Sequence, residues 1–142
     1  MPNTKFLLDC LANAKIFSSI DLGQAYYQVE LAPEIQEMTA FSTREGQFCF
    51  NRLPFGLATA PATFQRLMHT VLEGMLFKGV IVYLDDILVY GKSQKDHDEL
   101  LREIFRRIQM VGMKINPEKC KFNKKKSLSE FMIYLSHSQN HF

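Results

Sequence analysis

The chain has 142 residues, a formal net charge of +2 and 46% hydrophobic residues. That is one domain's worth of sequence with a sizeable core, and it excludes a wholly disordered chain. The charge excess is too small to argue for nucleic acid by itself, and Cys10, Cys49 and Cys120, odd in number and far apart, give neither a metal spacing nor a disulfide pattern.

Reduced thiols fit an intracellular, non-secreted protein. The first 14 residues make a poor signal peptide, since Asp9 interrupts their apolar patch. The longest apolar run, 79–90, is broken by two aspartates and is too short to span a bilayer, so no membrane partner is expected.

Residues 5–13 read as a short helix with Thr4 as its cap. Residues 16–20 are β-branched and aromatic, a strand ending at Asp21. A turn or short helix is expected over 22–26 and a second strand segment over 28–31. Residues 38–42 and 47–53 look like a strand pair joined by Arg44-Glu45-Gly46.

Pro61 suits the first turn of a helix, and Phe64, Met68, Val71, Leu72, Met75 and Leu76 share one helical face behind it. Two strand-like runs, 79–84 and 87–90, are separated by Asp85-Asp86, the length of a tight hairpin loop. Ser93 and Asp96 fit a capping box ahead of a second helix lined by Leu101, Ile104, Ile108 and Val111, with Gly112 as its C-terminal cap. Lys114, Lys119, Lys121, Lys124, Lys125 and Lys126 crowd a stretch that reads as a solvated lysine-rich loop or as a basic surface. The pattern predicts an α+β fold, an antiparallel sheet with two main helices packed on one face.

The informative feature is the pair of carboxylates at the hairpin tip. Such tips favour Asn-Gly or Asp-Gly, because glycine tolerates positive φ. Asp85-Asp86 forgoes that advantage and places like charges side by side. A hard divalent cation would make them worth having. Asp21, ending a separate strand, is a third candidate, and three carboxylates at strand ends could hold two Mg²⁺ ions roughly 3.5–4 Å apart. Spacing alone leaves a polar surface turn as an equal alternative.

Four motifs carry a resemblance that covers most of the chain. FSSIDLGQAYYQVEL (17–31), LPFGLATAPATFQ (53–65), YLDDILVY (83–90) and VGMKINPEKCKF (111–122) stand in order. Together they resemble the palm of the reverse transcriptase of gypsy-like LTR retrotransposons, part of a retrovirus-related Pol polyprotein. The resemblance implies RNA-directed DNA polymerase activity, transferring a nucleotide from a dNTP to a primer 3′-hydroxyl on an RNA or DNA template–primer duplex. It implies Asp21, Asp85 and Asp86 as catalytic metal ligands for two Mg²⁺ ions, with Mn²⁺ fitting similar oxygen donors. Leu22, Gly23, Gln24 and Ala25 would turn backbone amides to the triphosphate. Tyr26 would be the steric gate against a ribose 2′-hydroxyl. Phe55 and Gly56 would border the nucleotide, Phe55 by packing, and Lys119 would protonate pyrophosphate.

The same resemblance implies a palm over 1–126, with the fingers, thumb and ribonuclease H parts missing, and a divergent tail over 127–142. In that tail Tyr134-Leu135-Ser136-His137 is the nearest echo of a primer grip, and a shifted reading frame would explain the divergence. A non-catalytic retroelement remnant with at most weak nucleic-acid binding is the alternative. A nucleotidyl cyclase would share carboxylates on strand ends, but it would not need 53–65 or Tyr26.

Overall fold

The computed structural model describes residues 4–57, 59–83, 86–125 and 133. Its elements run α1 (Thr4–Leu11), β1 (Ile16–Asp21), a 3₁₀ turn (Ala25–Gln28), α2 (Pro33–Gln36), β2 (Phe41–Thr43), β3 (Gly46–Phe48), α3 (Ala60–Val71), β4 (Val80–Tyr83), β5 (Asp86–Gly91), α4 (Gln94–Met110), a 3₁₀ turn (Pro117–Lys119) and β6 (Lys121–Lys124). Four strands form one sheet in the order β4-β5-β1-β6, each neighbouring pair antiparallel. β2 and β3 pair only with each other.

Strand alternation divides the sheet's apolar residues between two cores. Ile20, Val80, Val82, Ile87 and Val89 pack with Phe64 and Met68 of α3 and with Ile104 and Ile108 of α4. Phe17, Ile81, Tyr83, Leu88 and Tyr90 face the other way and pack with Leu7 and Leu11 of α1. The two main helices therefore share one face, as the pattern predicts. The Ser93 hydroxyl accepts the Asp96 amide and starts α4. The amides of Gly112 and Met113 close its end on the carbonyls of Gln109 and Ile108, the double bond of a Schellman cap.

Several boundaries differ from the sequence reading. Residues 28–31 do not form a strand. Gln28 ends a 3₁₀ turn, and only Glu30 makes an isolated bridge, to Arg52. The hairpin strands β2 and β3 are shorter than 38–42 and 47–53, because Glu37–Thr39 turns as 3₁₀ helix first. Helix α3 stops at Val71, and Leu72 and Met75 reach the core from the turn that follows. Val111 caps α4 and is exposed, since the helix ends before its side chain can turn inward. The lysine-rich stretch contains an edge strand, β6, with all four residues exposed. Asp86 belongs to β5 opposite Tyr83, and so is not part of the loop expected at Asp85-Asp86; Leu84 and Asp85 lie outside the described residues. Thr4, expected as a cap before the helix, lies within α1, which ends at Leu11. The tail over 127–142, apart from Ile133, also falls outside the described residues.

Candidate active site

β1 ends where β5 begins, so Asp21 and Asp86 stand directly opposite each other. Directly opposed residues of an antiparallel pair carry Cβ atoms about 4.5–5.5 Å apart. Alternation continues the Phe17 row into Asp21 and the Tyr90–Leu88 row into Asp86, which puts both on the sheet face away from α3 and α4. Two half-buried carboxylates at that spacing repel unless a cation or a proton lies between them. Asp85 lies outside the described residues, adjoining Asp86 in the chain. Among the described residues no group of three His, Cys, Asp or Glu side chains is arranged to hold a metal.

The segment after Asp21 curls back on it. The Asp21 carboxylate accepts the Gly23 amide at 2.7 Å. Gly23 and Gln24 both take left-handed backbone, at φ 45° and 47°. At Gly23 that conformation comes with close quarters, since a Cβ there would sit 3.1 Å from the Asn116 side chain, so glycine is needed on both counts. Gln24 has no such exemption and stores about 1–2 kcal/mol of backbone strain, a cost that clusters at functional sites. The Asn116 amide donates to the Asp21 carbonyl at 2.8 Å and pins the incoming segment to the strand end. Of the amides expected to face a triphosphate, that of Gly23 is thus turned to the Asp21 carboxylate. Leu22 and Ala25 are buried.

Tyr26 is also buried, its ring edge-on to Phe64 at 5.5 Å and tilted against Phe55 at 4.9 Å. Tyr27 meets the same Phe55 ring at 5.0 Å. Phe55 remains 47% exposed and so presents a face for packing. Gly56, exposed and at φ +90°, has open space where a Cβ would stand. Lys119 is exposed on the 3₁₀ turn that packs against β1.

Sequence reasoning missed Cys120 beside the acid pair. Its thiol donates to the Asn116 carbonyl at 3.2 Å and accepts the Asp21 amide at 3.4 Å. Burial pushes its pKa up, and the charges of Asp21 and Asp86 push the same way. The thiol therefore stays neutral there. Three scattered cysteines carried no signal of this. Its place next to Lys119 in the fourth motif was the one available hint.

A second constellation, Ser18, His97 and Asp98, also escaped the sequence reading. His97 Nδ1 lies 2.9 Å from Asp98 Oδ1, and Nε2 lies 2.7 Å from Ser18 Oγ. With Nδ1–H donating to the carboxylate, Nε2 accepts the Ser18 hydroxyl, the hydrogen-bond order of an activated serine. Burial rules out that use. Ser18 is 3% and His97 0% exposed, so no substrate reaches the hydroxyl. Ser18 Oγ also accepts the Asn123 amide at 3.1 Å. The trio clamps α4 and β6 to β1 and so holds the strand that carries Asp21.

The profile described as "Reverse transcriptase (RNA-dependent DNA polymerase)" matches residues 2–134. The chain belongs to the reverse transcriptase family. It is 38% identical over 127 residues to the retrovirus-related Pol polyprotein from transposon 297 of Drosophila melanogaster, covering 89% of this chain and 12% of that one. To the corresponding polyprotein from transposon 412 of the same fly it is 39% identical over 122 residues, covering 86% and 10%. The chain thus spans about a tenth of the length of these two curated relatives. Among solved structures, the foamy viral protease-reverse transcriptase in complex with RNA/DNA hybrid matches 84% of this chain and 16% of its own, at TM-score 0.73 and 26% identity. Native prototype foamy virus protease-reverse transcriptase matches at TM-score 0.71 and 28% identity, over 79% and 15%. This reverse transcriptase domain has the α+β architecture of those neighbours. No described helix is long and apolar enough to cross a membrane.

Proposed function

We propose that the chain is the palm of an RNA-directed DNA polymerase that works inside the cell and joins a dNTP to a primer 3′-hydroxyl on an RNA or DNA template. The observation that carries this reading is the opposition of Asp21 and Asp86 across β1 and β5, within a chain of the reverse transcriptase family. The family alone would suit a decayed copy as well. An acid pair held at the end of two buried strands is what a working copy needs.

Asp21, Asp85 and Asp86 would hold two divalent cations. Carboxylate oxygens are hard donors suited to Mg²⁺, with Mn²⁺ as a substitute, and the mutual repulsion of Asp21 and Asp86 is relieved by such an ion. The ions would supply charge neutralisation at the attacking hydroxyl and the leaving pyrophosphate. The protein's own groups do the rest. With the Gly23 amide held by the Asp21 carboxylate, the Gln24 amide would meet the triphosphate. Tyr26, braced between Phe55 and Phe64, would exclude a 2′-hydroxyl by volume. The exposed Phe55 face would pack on the nucleotide, Gly56 would admit a close strand, and Lys119 would protonate the leaving group. The palm would occupy 1–126. In a polyprotein about ten times longer, fingers, thumb and ribonuclease H parts would supply most of the grip on phosphates. The chain alone is therefore expected to extend primers poorly.

The test is Mg²⁺-dependent nucleotide addition to a primer–template, run beside calorimetric Mn²⁺ binding, for chain 1–142 and its Asp85→Asn variant. Wild-type chain should bind Mn²⁺ and add at most a few nucleotides. The variant should lose both and keep its fold. Addition that survives in Asp85→Asn, or a wild-type chain that binds no Mn²⁺, overturns the reading.

A further inference from the structure

Gln28 lies outside the groups assigned above, yet its side chain makes four hydrogen bonds, two of them to Lys114, 86 residues away. Nε2 donates to the Leu22 carbonyl, to the Gly23 carbonyl at 2.9 Å and to the Lys114 carbonyl at 3.0 Å. Oε1 accepts the Lys114 amide at 2.6 Å. One primary amide, with two hydrogens for three acceptors, thus ties the segment after Asp21 to Lys114, 86 residues beyond Gln28. The Gln28 carbonyl is in turn held by the Arg52 guanidinium at 3.2 Å.

The consequence runs through a single peptide unit. A trans peptide points its C=O and its N–H in opposite directions. The Leu22–Gly23 peptide gives its oxygen to Gln28 and its N–H to the Asp21 carboxylate. Holding the one end aims the other. The Gly23–Gln24 peptide is held in the same way by its oxygen, which turns the Gln24 amide to the side opposite Gln28. Left-handed backbone at two successive residues is not a conformation this segment would keep unaided. The Gln28 amide is the group positioned to keep it.

We infer that Gln28 is a positioning residue that fixes the Asp21 carboxylate and the neighbouring amides through the carbonyls of Leu22 and Gly23. Its part in metal and nucleotide binding rests on the polymerase reading above. Its hold on the Gly23 amide does not.

Two variants test it in ¹⁵N-labelled chain 1–142. Gln28→Met keeps length and volume but removes every polar contact. Gln28→Glu keeps the acceptor for Lys114 and faces a carboxylate toward the Leu22 and Gly23 carbonyls. In each, amide exchange at Gly23 should rise about tenfold, the worth of one net hydrogen bond, while the ladder amides of β1 and β5 keep their protection. Mn²⁺ affinity should fall by about the same factor, for the same lost contact. Wild-type exchange at Gly23 in either folded variant overturns the inference. Loss of the β1–β5 ladder in both variants also overturns it, because Gln28 would then support the fold rather than the site. Asp21→Asn separates the two readings. If it leaves Mn²⁺ binding intact, the metal reading fails, and the Gly23 exchange rates still decide the role of Gln28.

Discussion

The described residues form two antiparallel sheets built by the same pairing rule, and they differ in what covers them. In the four-stranded sheet every residue of β4 is buried, and every residue of β5 except Asp86. In the β2–β3 hairpin all six residues are exposed, and the Phe41 ring is tilted against those of Phe48 and Phe50, with centroids 6.1 and 5.4 Å away. A two-stranded hairpin without a covered face is marginal. A sheet packed on both faces can force two carboxylates together and keep them there. The difference explains why the acid pair sits on the covered sheet, at the one end where its residues emerge from the core.

The largest expected effect concerns what emerges there. Asp21→Asn and Asp85→Asn should each remove Mg²⁺-dependent nucleotide addition and leave the thermal unfolding midpoint nearly unchanged. A large fall in that midpoint would mean the aspartates serve the fold instead.

Next comes the contrast between the sheets. Phe64→Ala empties a fully buried site under the large sheet and should cost about 3–5 kcal/mol in urea unfolding. Phe48→Ala in the hairpin should stay within about 0.5 kcal/mol. Equal costs would break the comparison.

A smaller effect sharpens it. Ser18→Ala takes the partner from buried His97 and the acceptor from the Asn123 amide, and should cost about 1–3 kcal/mol. It should also loosen β6 selectively, seen as faster exchange of the Asn123 amide. Unchanged protection at Asn123 would show that the clamp does not reach β6.

The smallest effect is at the surface of α4. Glu103 is held down to about 2 from 4.5 by hydrogen bonds from Arg106 and Arg107. Its pKa is depressed on folding, so its contribution is present above pH 4.5 and fades as pH falls toward 2. Glu103→Gln should flatten the acid limb of a stability–pH curve slightly, with a small cost at pH 7 that vanishes as pH falls toward 2, the pair being solvent-exposed. A cost as large at pH 2 as at pH 7 would contradict this.

Much of the fold was legible in residue patterns. The α4 face, its Ser93 start and its Gly112 end follow from local chemistry, as does the α3 face from Phe64 to Met68. What escaped depends on distant partners. Gln28 looks like strand in sequence, because nothing local announces that its amide will bond to Lys114. β6 looks like a loop, because an edge strand of lysines gains its order from β1 and not from its own side chains. Asp21 and Asp86 could be nominated from motif and position. Their direct opposition needed the register of β1 against β5. His97 gave no signal and Cys120 only its place beside Lys119, since burial and neighbours, not residue type, decide what they do.

Crystals of the chain grown with Mn²⁺ and measured for anomalous scattering test the central claim most directly. The account predicts manganese at ligating distance, about 2 Å, from carboxylate oxygens of both Asp21 and Asp85. Manganese bound elsewhere, or an Asp21 carboxylate that shares no ion with Asp85, would contradict it.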